Sequence, residues 1–144
     1  MANGIYKVTE DFETALSKYT GAPYVVTVDN MSNALFLSLY YEKNIIKRLK
    51  DDFIKIPNRT YPSVPCEIIH AGLKVEFEPV SGKTIKGDYQ LKPSRVIDSA
   101  LRFTGDMYKS KSHTCISFTG PYKHFKLSKG GAILTDDKEA YRWF

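Results

Sequence analysis

Between Arg95 and Asp137 the chain carries RVIDSALRF, then HTCISFTGPYKHFK, then LSKGGAILTDD. Asp98 ends one short apolar run, Ser117 ends another, Lys123 follows in a loop, and the Gly130–Gly131 pair enters a third run. Successive strand ends would thus deliver an acid, a hydroxyl and an amine in that order. Those groups suit a ligand with a basic ring nitrogen, a phosphate and an aldehyde. Pyridoxal 5′-phosphate (PLP) has all three.

Each group has a chemical use and a plainer one. A carboxylate at the carboxyl end of a parallel strand lies where open α/β sheets bind ligands. Asp98 can hold a pyridine nitrogen protonated there, or simply cap a helix from Ser99 onward. Lys123 can attack an aldehyde once its amine is neutral. It stands close to Lys126 and Lys129, however, and only its spacing from the other features singles it out. The turn Asp29–Ser32 joins a strand pattern to an apolar helix pattern. Free N–H groups at a helix start bind phosphate, and Ser32 adds a hydroxyl; equally, Ser32 or Asn30 can cap its own helix. The turn is not glycine-rich, which excludes a Walker loop and a dinucleotide fingerprint. Tyr61 follows a strand and a turn, where its ring can lie flat on a planar ligand or pack as an amphipathic core residue.

These groups need a frame. Thr9–Tyr19 has helical spacing, with Thr9 as a cap, Phe12, Leu16 and Tyr19 on one face, and Gly21 as a stop. Tyr24–Val28 is a β-branched strand pattern, followed by a helix starting near Ser32. Ile54–Pro57 predicts a strand, Pro62–Gly72 a helix with Pro at its start and Gly at its end, and Leu73–Phe77 an alternating strand. Residues 79–93 read as loop with one short extended piece. Val96–Asp98, Thr114–Phe118 and Ala132–Thr135 predict further strands, and Asp136 and Asp137 start a last helix. Alternating strands and helices indicate an α/β fold with a mostly parallel sheet flanked by helices.

At 144 residues, 42% hydrophobic and 26% charged, the chain has the composition of a soluble protein and the length of one domain, residues 1–144. Its longest apolar stretch, Ala34–Tyr41, is too short to cross a bilayer. The amino terminus lacks a basic-then-apolar signal, so a cytoplasmic location is expected. Cys66 and Cys115 are then reduced thiols, and two distant cysteines with three histidines do not make a zinc framework. The net charge of +5 fits an anionic partner or a solvated basic surface. Basic and aromatic residues do not interleave regularly, which argues against a nucleic-acid groove.

From Val8 to Phe144 the chain resembles the amino-terminal part of the DegT-type sugar aminotransferases, PLP enzymes of the aspartate-aminotransferase fold (fold type I). DFETALSKYTGAPYVVTVDNMSNALFLSL resembles their opening helix, first strand and phosphate-binding helix start. IPNRTYPSVPCEIIHAGLKVEFEPV resembles their next βαβ segment, and VIDSA the strand ending in the pyridine-binding aspartate. CISF, the Lys-His pair and KGGAILTDD resemble the segment with the cofactor-linked lysine and the strand after it.

The resemblance implies Met31 (through its backbone), Ser32 and Ser117 at the cofactor phosphate, Tyr61 stacked on the ring, Asp98 at the pyridine nitrogen, and Lys123 as the Schiff-base lysine that also moves the substrate proton. It further implies an amino-acid donor, commonly glutamate, a nucleotide-linked keto sugar as acceptor, a place in carbohydrate biosynthesis, and a homodimer. Here Lys123 lies six residues after Ser117 where the family has five, yet counting back from Gly130–Gly131 puts it in the family's place. Leu101 stands where relatives often carry Gln or His, and the stretch between Phe77 and Val96 is shorter than usual. The expected unit is therefore a reduced large domain without the small carboxyl-terminal one. A non-catalytic binding or assembly module on the same fold is the alternative function. A dehydratase using His124 in place of the lysine is a second enzymatic option.

Overall fold

The computed structural model describes residues 6–80, 87–120 and 125–144. Its elements follow the hydrophobic pattern closely. Helix α1 (Lys7–Thr20) is followed by strand β1 (Tyr24–Val28), helix α2 (Met31–Tyr40), β2 (Phe53–Pro57), α3 (Ser63–His70) and β3 (Lys74–Glu78). Then come β4 (Tyr89–Gln90), β5 (Val96–Asp98), β6 (His113–Ser117), β7 (Gly131–Thr135) and α4 (Lys138–Trp143). Helix α1 starts earlier than Thr9, after Tyr6, and has no side-chain cap. Gly21 ends it in the left-handed region (φ 77°), donating its N–H to Ser17 O. Asp137 caps α4, accepting the backbone N–H groups of Glu139 and Ala140. Among the described residues no helix is long and apolar enough to cross a membrane.

The expectation of a mostly parallel sheet needs correction. The main sheet has the order β1-β7-β6-β5-β4, and only β5 and β6 run parallel in it; β1–β7, β6–β7 and β4–β5 are antiparallel. The second parallel pair, β2–β3, forms a separate two-stranded sheet. Connections explain the directions. A parallel neighbour needs a long crossover. Helix α3 supplies one between β2 and β3, and the stretch 99–112 supplies one between β5 and β6. β4 instead turns back through Pro93 directly into β5, so the pair must run antiparallel.

Alternation along β6 and β7 splits the core between the two faces of the sheet. Cys115 and Ile133 point to the side covered by α2, where they join Leu35, Leu39, Ile54, Ile68 and Val96. Ile116, Ala132 and Leu134 point to the other side and pack with Leu16 of α1, Val25, Met107 and Phe118. Helices thus cover both faces.

At the amino-terminal ends of β5 and β6 lies a buried polar cluster. Glu42, in the π-helical turn Tyr41–Ile45 after α2, is fully buried. Its carboxylate accepts the Arg95 backbone N–H and the Arg95 Nε–H, both at 3.0 Å, and pairs with Arg48 at 3.2 Å. Arg95 also reaches His113 Nε2 at 3.1 Å and Asp137 at 3.3 Å. This cluster ties the end of the α2 segment to the start of β5, and so fixes the strand whose far end carries Asp98.

Candidate active site

The start of α2 is built by β1 and β7. After Val28 the chain turns through Asp29 and Asn30, whose side chains accept from Asn33: Asn30 Oδ1 from the backbone N–H at 2.9 Å, Asp29 Oδ1 from Nδ2 at 2.6 Å. Asn30 is therefore the helix cap, and Ser32 lies inside the first turn. Asn30 also bridges to Gly130, while Gly131 pairs with both Val28 and Ser117. The first turn of α2 consequently sits against the entry of β7. A Cβ on Gly131 would stand 2.8 Å from Met31 N and 2.9 Å from Ile116 O, so only glycine allows this approach. Gly130 adopts φ 136°, a region that disfavours any side chain.

Ser117 ends β6 beside this turn, and its Oγ accepts the Thr119 N–H at 3.3 Å. Asp98 ends β5 and is 5% exposed. Its Oδ1 accepts the Ala100 N–H at 2.9 Å; a turn follows, not the helix that the capping alternative would require. Its Oδ2 accepts from the Tyr89 hydroxyl at 2.8 Å, and Tyr89 also contacts Thr60 Oγ1 closely. Burial, together with the Asp98 charge, holds the Tyr89 phenol far above its ordinary range, so it stays protonated and available as a donor. Behind Asp98, burial pushes the Cys115 thiol up to about 12, which leaves it an inert core group.

These elements enclose a cleft of about 820 Å³. Met31, Ser32, Tyr61, Asp98 and Ser117 all line it. Tyr61 is 74% exposed, just before α3. Lys123 and His124 lie outside the described residues. Lys129 lines the cleft, and Leu101 contributes an apolar stretch of its wall. The cleft can therefore offer N–H and hydroxyl donors at one end, a carboxylate on its floor and an aromatic ring beside α3.

Tyr89 and Thr60 were missed as site residues by sequence reasoning. The signal for Tyr89 was the short run DYQL before a proline turn, which can pair back onto RVID. Thr60 had no signal beyond its place next to Tyr61.

The family model for the "DegT/DnrJ/EryC1/StrS aminotransferase family" matches residues 2–98. Among solved structures, the chain is similar to PseC of Helicobacter pylori, an aminotransferase involved in the biosynthesis of pseudoaminic acid. The identity is 15% over 97% of this chain and 47% of that one, with a TM-score of 0.70. It is also similar to the E. coli GDP-4-keto-6-deoxy-D-mannose-3-dehydratase with bound hydrated PLP, at 21% identity over 97% of this chain and 46% of that one, TM-score 0.69. A further GDP-4-keto-6-deoxymannose-3-dehydratase structure, with a trapped PLP–glutamate geminal diamine, is 20% identical over 96% of this chain and 46% of that one, TM-score 0.68. The chain spans about half the length of these structures. No curated protein matches the sequence.

Proposed function

The chain belongs to the DegT/DnrJ/EryC1/StrS aminotransferase family, and on that premise we propose that residues 1–144 form a PLP-binding domain of a sugar aminotransferase. The reaction is transfer of an amino group from an amino acid, glutamate by analogy with the trapped complex, to a keto sugar carried on a nucleotide. Family membership and the similar structures that hold PLP indicate pyridoxal 5′-phosphate as the cofactor. The observation that carries the reading is the convergence of Met31, Ser32, Tyr61, Asp98 and Ser117 on one cleft.

The donor set fits the group. The first turn of α2, which Gly131 allows to pack against β7, lines the cleft through Met31 and Ser32, and an N-terminal helix end favours a phosphate. Ser32 and Ser117 add hydroxyls to that end of the cleft. Asp98 would accept the N–H of a protonated ring nitrogen, Tyr61 would cover the ring, and Lys123 would be the amine that holds the group and moves the proton at the substrate carbon. The chemistry that PLP supplies when bound is an electron sink for the charge left at that carbon. A partner copy completing the cleft across a homodimer interface belongs to the same proposal.

The test is a titration of the purified chain with PLP, followed by absorbance. A visible band that Lys123→Ala removes supports the reading. No band in the intact chain, or an undiminished band in the variant, favours the non-catalytic module instead.

A further inference from the structure

We infer that Tyr89 is a positioning residue for Asp98, and that Thr60, Tyr89 and Asp98 form a directed hydrogen-bond chain setting the carboxylate for the ring nitrogen of the cofactor. The inference rests on the reading of Asp98 as the ring-nitrogen partner.

Backbone pairing creates the contact. Tyr89 and Asp98 are register partners across the antiparallel pair β4–β5, and the phenol lies against the carboxylate at 2.8 Å. Each carboxylate oxygen then has a fixed donor, Ala100 N–H on Oδ1 and the phenol on Oδ2. Bonds on both oxygens fix the rotation of the carboxylate plane. A free carboxylate would lose that freedom only when the ligand arrives, at a cost in affinity.

The direction of the chain follows from donor counting. A tyrosine hydroxyl has one hydrogen, and Tyr89 gives it to Asp98. In its contact with Tyr89 Oη, Thr60 Oγ1 must therefore be the donor. Thr60 stands in the loop between β2 and α3, so the chain of bonds links that loop, β4 and β5 around one end of the cleft. Successive bonds polarise one another in a partly dry site, and a bond to a charged acceptor is the stronger kind.

The alternative is that Tyr89 merely satisfies a buried carboxylate, and the two roles part on ligand chemistry. The dissociation constants of PLP and of its 1-deaza analogue, with CH in place of the ring nitrogen, are measured for the wild type and for Tyr89→Phe. The phenylalanine variant keeps the ring and loses only the hydroxyl. The wild type is expected to prefer PLP. In Tyr89→Phe, PLP affinity should fall about fivefold while the analogue's changes little, because the ligand must then order the carboxylate itself.

Equal losses for both ligands, or an unchanged preference, overturn the positioning role. A wild type that binds both ligands equally overturns the Asp98 reading itself, and the positioning role with it. Should Tyr89→Phe fail to fold, Thr60→Val carries the same comparison. A smaller preference for PLP in that variant supports the chain of bonds, and an unchanged one contradicts it.

Discussion

Gly131 and Met31 lie so close that a Cβ on the glycine would stand 2.8 Å from the Met31 backbone nitrogen. The entry of β7 thereby sets the height of the first turn of α2, the donor end of the cleft. Gly131→Ala must push that turn away or bend β7. Overpacking of this kind costs about 1–3 kcal/mol. Urea denaturation should show that loss, and titration with PLP should show weakened binding. Unchanged affinity in a destabilised variant would separate the turn from the ligand.

Ser32 and Ser117 are two hydroxyls at that end of the cleft. Ser32→Ala and Ser117→Ala should each weaken PLP binding by about tenfold, the effect of one hydrogen bond to a charged group. Pyridoxal without its phosphate should be indifferent to both changes. Calorimetric titration with the two ligands provides the comparison.

Asn30 caps α2 through Asn33 N–H. Asn30→Ala should cost about 1 kcal/mol of stability, as the loss of a helix cap does. Thermal and urea unfolding both measure it.

Glu42 is fully buried and holds Arg95 by two hydrogen bonds at 3.0 Å. Glu42→Ala leaves the partly buried Arg95 guanidinium and the Arg95 N–H without this acceptor. Removing one partner of a buried pair costs about 3–5 kcal/mol. Urea unfolding should detect a loss of that size, whereas one under about 1 kcal/mol would mean that water or Asp137 replaces the carboxylate.

His113 gives a pH dependence. Burial, reinforced by the nearby Arg95 charge, lowers its imidazole to about 4 from 6.5; Asp137 and Asp136 oppose this, and Arg48 adds to it. The Glu42 carboxylate lies 3.8 Å from its Nε2. The unfolded chain takes up the proton as pH falls through about 6.5, and the folded chain does so only near 4. Across that window the unfolded state binds more protons, so stability falls with falling pH, by roughly 3 kcal/mol at the bottom. In His113→Gln the stability–pH curve from urea unfolding should be flatter over the same range.

Much of the frame was legible because it rests on local patterns. The β-branched run Tyr24–Val28 and the run Val96–Asp98 are strands with the bounds that the sequence suggests. Asn30 and Asp137 are caps of a residue type chosen for that position. Strand direction was not legible, since it depends on how each connection returns the chain: β6 and β7 pair antiparallel. Nor was the Tyr89–Asp98 pair, because β4 is too short for any period to show and its placement comes from pairing with β5. The convergence of Met31, Ser32 and Ser117 needed the fold, as Gly131 brings together segments far apart in sequence.

The proposed binding of PLP through Lys123 has a direct chemical test. Borohydride reduction of the PLP-loaded chain fixes the cofactor to whichever amine carries it, and peptide mass mapping then identifies that residue. One modified site is expected, at Lys123, and it should be lost in Lys123→Ala. Modification at Lys129, which also lines the cleft, or spread over many surface lysines, would contradict it.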